Sequence, residues 1–398
     1  MLTKPPTDSL ATSESIGRCN VLQRGGFRQK FRQMFGHGLH RLGLLHAAKQ
    51  LARSYEFCSV AGSRLPRLRK SAGSKFGILC YHRVGTEGVP LFSRLEPKVF
   101  EAQMRYVTKH YRVVPLGQLC RELQDGAAVE PTLAVTFDDG YRDLYTHAFP
   151  VLQKYQIPAT IYLIGRCMET GEVPWYDKIF LALKAVAGES FEIELERPRK
   201  FKIFSFSVQA AAAWEIVSYL RKIPDTHRQK WCAAFEQQIP LPLEELEGRM
   251  LDWSQVRTMH RAGVFFGSHT MSHPVVSQLG PQALEEELVA SKQFFERGLG
   301  APIDDFAYPF GKPEDGSLAA TEFLTRSGYR SAVTTTEGFN TTGTDRFQLR
   351  RLQIGEDSSL ANFAFSVSRL FLEAPVDVCS FLRRSELLGH PEIEMRKL

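Results

Sequence analysis

Beyond residue 75 the chain alternates two apolar patterns. Short runs rich in β-branched and apolar residues, closed by turn residues, predict strands at 76–81, 111–115, 133–137, 159–164, 264–268, 305–308, 330–334 and 347–354. Apolar positions three or four residues apart predict helices at 97–110, 116–123, 141–155, 254–262, 281–300, 318–327 and 360–372. This alternation argues for parallel strands joined by crossover helices, an α/β architecture. It is interrupted at 170–250 by an inserted α+β segment. There, 191–206 alternates as a two-stranded ribbon with Arg197-Pro198-Arg199-Lys200 as its turn, and 210–221 and 226–238 read as helices.

Two strings at predicted strand ends carry the chemistry. Thr136-Phe137-Asp138-Asp139-Gly140 puts adjacent carboxylates after a buried run, and His269-Thr270-Met271-Ser272-His273 spaces two imidazoles four residues apart. One carboxylate and two neutral imidazoles supply the three protein ligands of a catalytic zinc site, and the other carboxylate is left as a base. Successive strand residues point to different sides, so Asp139 could hold the metal while Asp138 faces the water. Taken singly, Asp-Gly also suits a hairpin turn, and two histidines four apart occur on surfaces by chance. Their joint occurrence after strands, where α/β folds keep their ligand sites, favours the hydrolytic reading.

These strings, in order and followed by Phe306-Ala307-Tyr308-Pro309-Phe310-Gly311, resemble the polysaccharide deacetylases, the NodB-homology or carbohydrate esterase family 4 domain. The resemblance extends to Ile78-Leu79-Cys80-Tyr81-His82-Arg83-Val84 as a first strand and covers roughly residues 75–355. It implies a distorted (β/α) barrel of about seven strands and hydrolysis of an N-acetyl group on a carbohydrate. It assigns Asp138 as base and Asp139, His269 and His273 as ligands of a divalent metal, with zinc the expected ion. A backbone N–H near Tyr141 serves as an oxyanion donor, and Tyr141, Tyr308, Pro309 and Arg351 are the expected substrate-binding residues. Two departures stand out. The arginine usual in the third motif is replaced by Ala307 and Tyr308, and Arg351 is a candidate to take its place. The Leu-x-His that donates a proton to the leaving amine is absent, and His82, at the end of the first strand, is the candidate donor or else a structural residue.

Composition adds an asymmetry. Of 50 Lys/Arg and 44 Asp/Glu, residues 1–75 hold 14 and 3, so that segment carries +11 and the remainder −5. Residues 1–74 are expected to be a basic, partly disordered extension with one amphipathic helix at 27–52, and residues 75–398 the barrel. Phe27, Phe31, Met34, Phe35, Leu42 and Leu45 among basic residues suit peripheral contact with an anionic membrane. No nucleic-acid module accompanies the charge, so no nucleic-acid partner is expected. Seven scattered cysteines and an N-terminus without an apolar signal core lead to an expected cytoplasmic location, with reduced thiols. The rival readings are a carbohydrate-binding protein of the same fold with impaired turnover, and a deacylase of a lipid-linked sugar.

Overall fold

The computed structural model describes residues 76–368, apart from 87–93, 127–130, 187, 189, 240, 242–247, 317 and 357. The expected basic extension at 1–74, with its helix at 27–52, lies outside the described residues.

Among the described residues twelve strands occur in chain order: β1 (Phe76–Tyr81), β2 (Arg83–Val84), β3 (Arg94–Leu95), β4 (Arg112–Val113), β5 (Thr132–Phe137), β6 (Ala159–Leu163), β7 (Ser190–Glu194), β8 (Pro198–Lys202), β9 (Phe265–Ser268), β10 (Asp305–Ala307), β11 (Ser331–Glu337) and β12 (Leu349–Gln353). Seven of them follow the order β1-β12-β11-β10-β9-β6-β5, and β5 pairs back onto β1 through six residues, from Phe76 opposite Thr132 to Tyr81 opposite Phe137. The ring is therefore a closed seven-stranded barrel, and every pairing in it is parallel. Strand β4 lies outside the ring and pairs only with the first residues of β5.

Alternation along each strand divides the residues between two cores. Leu79, Tyr81, Val135, Phe137, Ile161 and Leu163 pack outward against the surrounding helices. Their neighbours Ile78, Ala134, Tyr162, Ala307, Val333 and Leu349 face one another inside the barrel, as the two-residue period requires. Helix Leu116–Asp125 adds Leu119 and Leu123 to that inner cluster, at the end where the strands begin. The opposite end is left for polar chemistry.

Three expectations need correction. The predicted helix at 141–155 begins instead with a wide π turn at Leu144–Ala148 before Phe149–Lys154, ahead of Pro150, which has no N–H to donate to the preceding turn. The helix at 281–300 likewise contains a π segment at Glu285–Ala290. In the insertion, Pro198, Arg199 and Lys200 belong to β8 and pair with Glu194, Ile193 and Glu192, so the turn falls earlier, at 195–197. Proline is tolerated as the first residue of a strand with no neighbour beyond it.

Helix Trp175–Ala185 opens the insertion, and helices Phe206–Leu220 and Asp225–Gln238 follow the β7–β8 ribbon. Its apolar cluster incorporates Tyr141, Ile164, Cys167 and Met250 of the barrel, so the insertion is packed against the end where the strands finish. No described helix is long and apolar enough to cross a membrane.

Candidate active site

The residues singled out by the two strings follow directly on strands that end at the same rim. His82 succeeds β1, Asp138 and Asp139 succeed β5, and His269 succeeds β9. Parallel strands make this convergence automatic, because all their C-terminal ends face one way. Asp138 keeps the inward phase of Ala134 and Thr136. Asp139 then leaves the strand with φ 72°, and the histidine loop turns twice through the same left-handed region, at Thr270 (φ 70°) and His273 (φ 57°). Phe310, beside them, has φ 59°. Side chains other than glycine tolerate this backbone at a cost of order 1–3 kcal/mol each, and four of the five such residues among those described surround this one site.

Asp139 Oδ1 lies 3.6 Å from His269 Nε2 and 3.7 Å from His273 Nε2, and all three residues are buried. One ligand atom from each falls within 4.8 Å of the others. His269 Nδ1 is 2.7 Å from the Ala307 carbonyl, which can only accept. That bond fixes the proton on Nδ1 and leaves the Nε2 lone pair toward Asp139. Burial lowers the tendency of both imidazoles to protonate, with Asp138 opposing it at His269 and the neighbouring His269 adding to it at His273. Burial and then the Asp138 charge push the Asp139 carboxyl well above its usual range, against the Tyr176 hydroxyl. Two imidazoles kept neutral by burial and a carboxylate crowded by the neighbouring Asp138 are a donor set that fits a divalent metal.

Asp138 is held differently. Arg351 of β12 donates from Nη1 to Oδ1 and from Nη2 to Oδ2, both at 2.7 Å, and from Nε to the Thr334 carbonyl at 2.8 Å. Burial alone would raise the Asp138 carboxyl, but the Arg351 guanidinium overrides it and holds the group well below the usual carboxylate range. This favours the ionised form of Asp138 in the resting site. The missing third-motif arginine has its geometric counterpart in Arg351, which is fully buried and so aims the carboxylate instead of touching a ligand. His82 Nε2 stands 3.9 Å from Asp138 Oδ2 with its side chain 16% exposed. Burial lowers its pKa to about 4, partly opposed by Asp138. Cys80 Sγ, 3.5 Å from the same oxygen, completes the inner side of the pair.

The other expected contacts are placed less openly. Tyr308 and Pro309 are buried, Tyr308 standing edge-on to Phe306 at 5.2 Å. The Tyr141 ring is also buried. Its hydroxyl donates to Asp177 Oδ2 at 2.8 Å, and the Arg83 guanidinium lies 4.6 Å from its centroid. Its backbone is another matter, because the Tyr141–Met250 bridge is closed by its neighbours, Arg142 N to Arg249 O and Leu251 N to Gly140 O. The Tyr141 N–H is not spent on that bridge.

The insertion adds residues that lie outside the two strings. Tyr176 packs on the His273 ring at 4.9 Å, and Trp175 Nε1 donates to the His273 carbonyl at 3.1 Å. Asp177, raised by burial to about 6, receives the Tyr141 hydroxyl. Trp175-Tyr176-Asp177 at the insertion's first turn is the available signal, an aromatic pair with an acid. Trp253 packs on Phe294 at 5.7 Å, between helices and away from this site.

Residues 125–329, about half of the chain, match the sequence model of the family described as polysaccharide deacetylase. YxkH of Bacillus subtilis (strain 168), named as a polysaccharide deacetylase, is 23% identical over 292 residues, 73% of this chain and 75% of that protein. A stretch of 99 residues, 24% of this chain and 15% of the relative, is 32% identical to the poly-beta-1,6-N-acetyl-D-glucosamine N-deacetylase of Escherichia coli (strain K12). Among solved structures, the Streptococcus pyogenes deacetylase PplD in complex with acetate aligns with a TM-score of 0.51 and 20% identity, covering 74% of this chain and 98% of that one. The last comparison establishes a shared fold.

Proposed function

This chain belongs to the polysaccharide deacetylase family of hydrolases, and from that premise we propose that it removes N-acetyl groups from a carbohydrate in a metal-dependent reaction. The observation that carries the proposal is the division of labour between adjacent carboxylates, Asp139 grouped with two neutral imidazoles and Asp138 paired to Arg351. A divalent metal, for which zinc suits the donor set, would supply Lewis acidity toward the carbonyl oxygen and lower the pKa of a bound water to about 7.

The protein's own groups do the rest. Asp138, ionised and aimed by Arg351, takes the proton of the attacking water. The Tyr141 N–H stands as a donor to the developing oxyanion. An amide nitrogen leaves only when protonated, and His82, beside Asp138, is the group that returns the proton to it. With a pKa of about 4, His82 is neutral in the resting site at neutral pH, so it gains the proton during turnover from the Asp138 side before passing it on.

The substrate class is an N-acetylated exopolysaccharide or cell-envelope sugar. The rival in which turnover has been lost is disfavoured because the base keeps a buried arginine. Metal-loaded protein assayed for acetate release from a panel of N-acetylated oligosaccharides tests the reading. Release that disappears on chelation and returns with metal is the expected result. Tight sugar binding without release would favour the binding-protein reading, and release only from a lipid-linked sugar would favour that narrower substrate. We further propose, from the basic segment at 27–70, peripheral attachment of a cytoplasmic enzyme to an anionic membrane. Equal sedimentation with anionic vesicles by the full chain and a variant starting at Ser74 would refute that.

A further inference from the structure

The loop between the two site histidines is short, irregular and held from outside by one carboxylate. Its backbone passes through the left-handed region at Thr270 and again at His273. Such a loop is costly to hold, and its N–H groups have no helix or sheet to satisfy them. Glu287 satisfies them. Its Oε2 accepts from the backbone N–H of Met271 at 2.8 Å and of Ser272 at 2.9 Å, and its Oε1 accepts from the Ser272 hydroxyl at 2.7 Å. Both residues lie strictly between His269 and His273.

Glu287 is buried and sits in the π segment Glu285–Ala290, where the helix widens by one residue. The same segment reaches the loop a second way, because Ser291 Oγ donates to the Glu287 carbonyl at 2.7 Å and shares a hydrogen bond with Ser268 Oγ at 3.0 Å. Ser268 Oγ in turn accepts from the Thr270 N–H at 3.3 Å. From the other side, Gly165 and Arg166 donate their N–H groups to the Thr270 and Met271 carbonyls at 2.9 and 2.7 Å. The loop is thus latched on its donor side by Glu287 and on its acceptor side by the start of helix Gly165–Thr170.

We propose that Glu287 is a positioning residue for metal binding: by accepting three hydrogen bonds from Met271 and Ser272 it fixes the loop that sets His273 opposite His269 and Asp139. The inference rests on the metal site proposed above. Three charge-assisted hydrogen bonds accepted by one carboxylate are a strong restraint, and outer groups of this kind are typically worth about 10- to 100-fold in metal affinity. Glutamine at 287 keeps a carbonyl oxygen for the two N–H groups and presents an amide that the Ser272 hydroxyl can accept from, so it preserves the latch. Alanine removes it.

The test is zinc affinity of metal-free full-length protein, measured by competition with a chromophoric chelator, together with thermal melting of the same metal-free samples. Expected is a Kd raised about 10- to 100-fold in Glu287→Ala, within threefold of the parent in Glu287→Gln, with the glutamine variant melting as the parent does. Where Glu287→Ala does not fold, Glu287→Asp withdraws the acceptor by one methylene and should weaken zinc binding at least tenfold. Parent-like affinity in the folded alanine or aspartate variant overturns the proposal, as does a glutamine variant as weak as the alanine one. Failure of the underlying site looks different: the parent itself would bind no zinc, or would bind it unchanged after His269→Ala.

Discussion

Replacing Arg351 with methionine should expose how strongly the Asp138 anion depends on one partner. Both groups are out of contact with water, and the guanidinium meets both carboxylate oxygens at 2.7 Å. Unit charges about 4 Å apart attract by about 4 kcal/mol at an effective dielectric constant of 20, and removing one member of a buried pair generally costs about 3–5 kcal/mol. Arg351→Met is therefore expected to lose roughly that much stability. The double variant Asp138→Asn, Arg351→Met should recover much of it, since no charge is then stranded.

The pH dependence of this loss has a definite sign. In the parent, the folded Asp138 carboxyl lies below its unfolded value, so its contribution is complete above the unfolded pKa of about 3.9 and fades as pH falls through the folded one. Without the guanidinium, burial governs and the folded carboxyl rises above the unfolded value. Its contribution is then present at low pH and is lost as pH climbs through the raised pKa. Urea unfolding of metal-free protein between pH 4 and 8 reads the contrast, an Asp138 contribution that stays level in the parent and falls with rising pH in the variant. A loss under about 1 kcal/mol at pH 7, or parallel pH profiles for parent and Arg351→Met, would refute the reasoning.

Two further outcomes follow from neighbouring geometry. His82→Ala should lower kcat by about 10²- to 10⁴-fold with metal content unchanged, and unchanged turnover would reduce His82 to packing. Because its folded pKa is lowered to about 4, His82 also makes the parent lose stability as pH falls from about 6.5 toward 4, a loss that the alanine variant should lack. Gly267→Ala would set a Cβ 2.5 Å from the Tyr162 ring and 2.8 Å from the Asp305 carbonyl oxygen. A cost of about 1–3 kcal/mol in urea unfolding is expected, and a stability within about 0.5 kcal/mol of the parent would show that Tyr162 gives way freely.

Much of the barrel could be read from the chain because its signals are local. The run Phe76–Tyr81 and helix Pro97–His110 fall where apolar periodicity puts them, and an apolar run followed by Asp-Asp or by His needs no distant residue to be recognised. What stayed hidden depends on closure of the ring. Arg351 shares the inward face of β12 with Leu349; the sequence offers it only as a candidate for the missing arginine, and its grip on Asp138 exists once β12 joins β1. The helix that carries Tyr176 and Asp177 is not among those predicted in the insertion, and only its docking brings them beside His273 and Tyr141. The π turns were equally unreadable, because a one-residue widening leaves the apolar spacing nearly unchanged.

The bond between Asp138 and Arg351 spans 213 residues of chain. At roughly 5–20 residues per second, a ribosome adds Arg351 about 10–40 s after Asp138. Throughout that interval the nascent barrel lacks the strand that both seals the ring and neutralises Asp138. A polypeptide halted before β12 carries the paired aspartates and both histidines, yet holds a carboxylate that a closed interior would not accept as an anion. The proposed hydrolysis would in this sense belong to the finished ring and be withheld from every shorter product of translation.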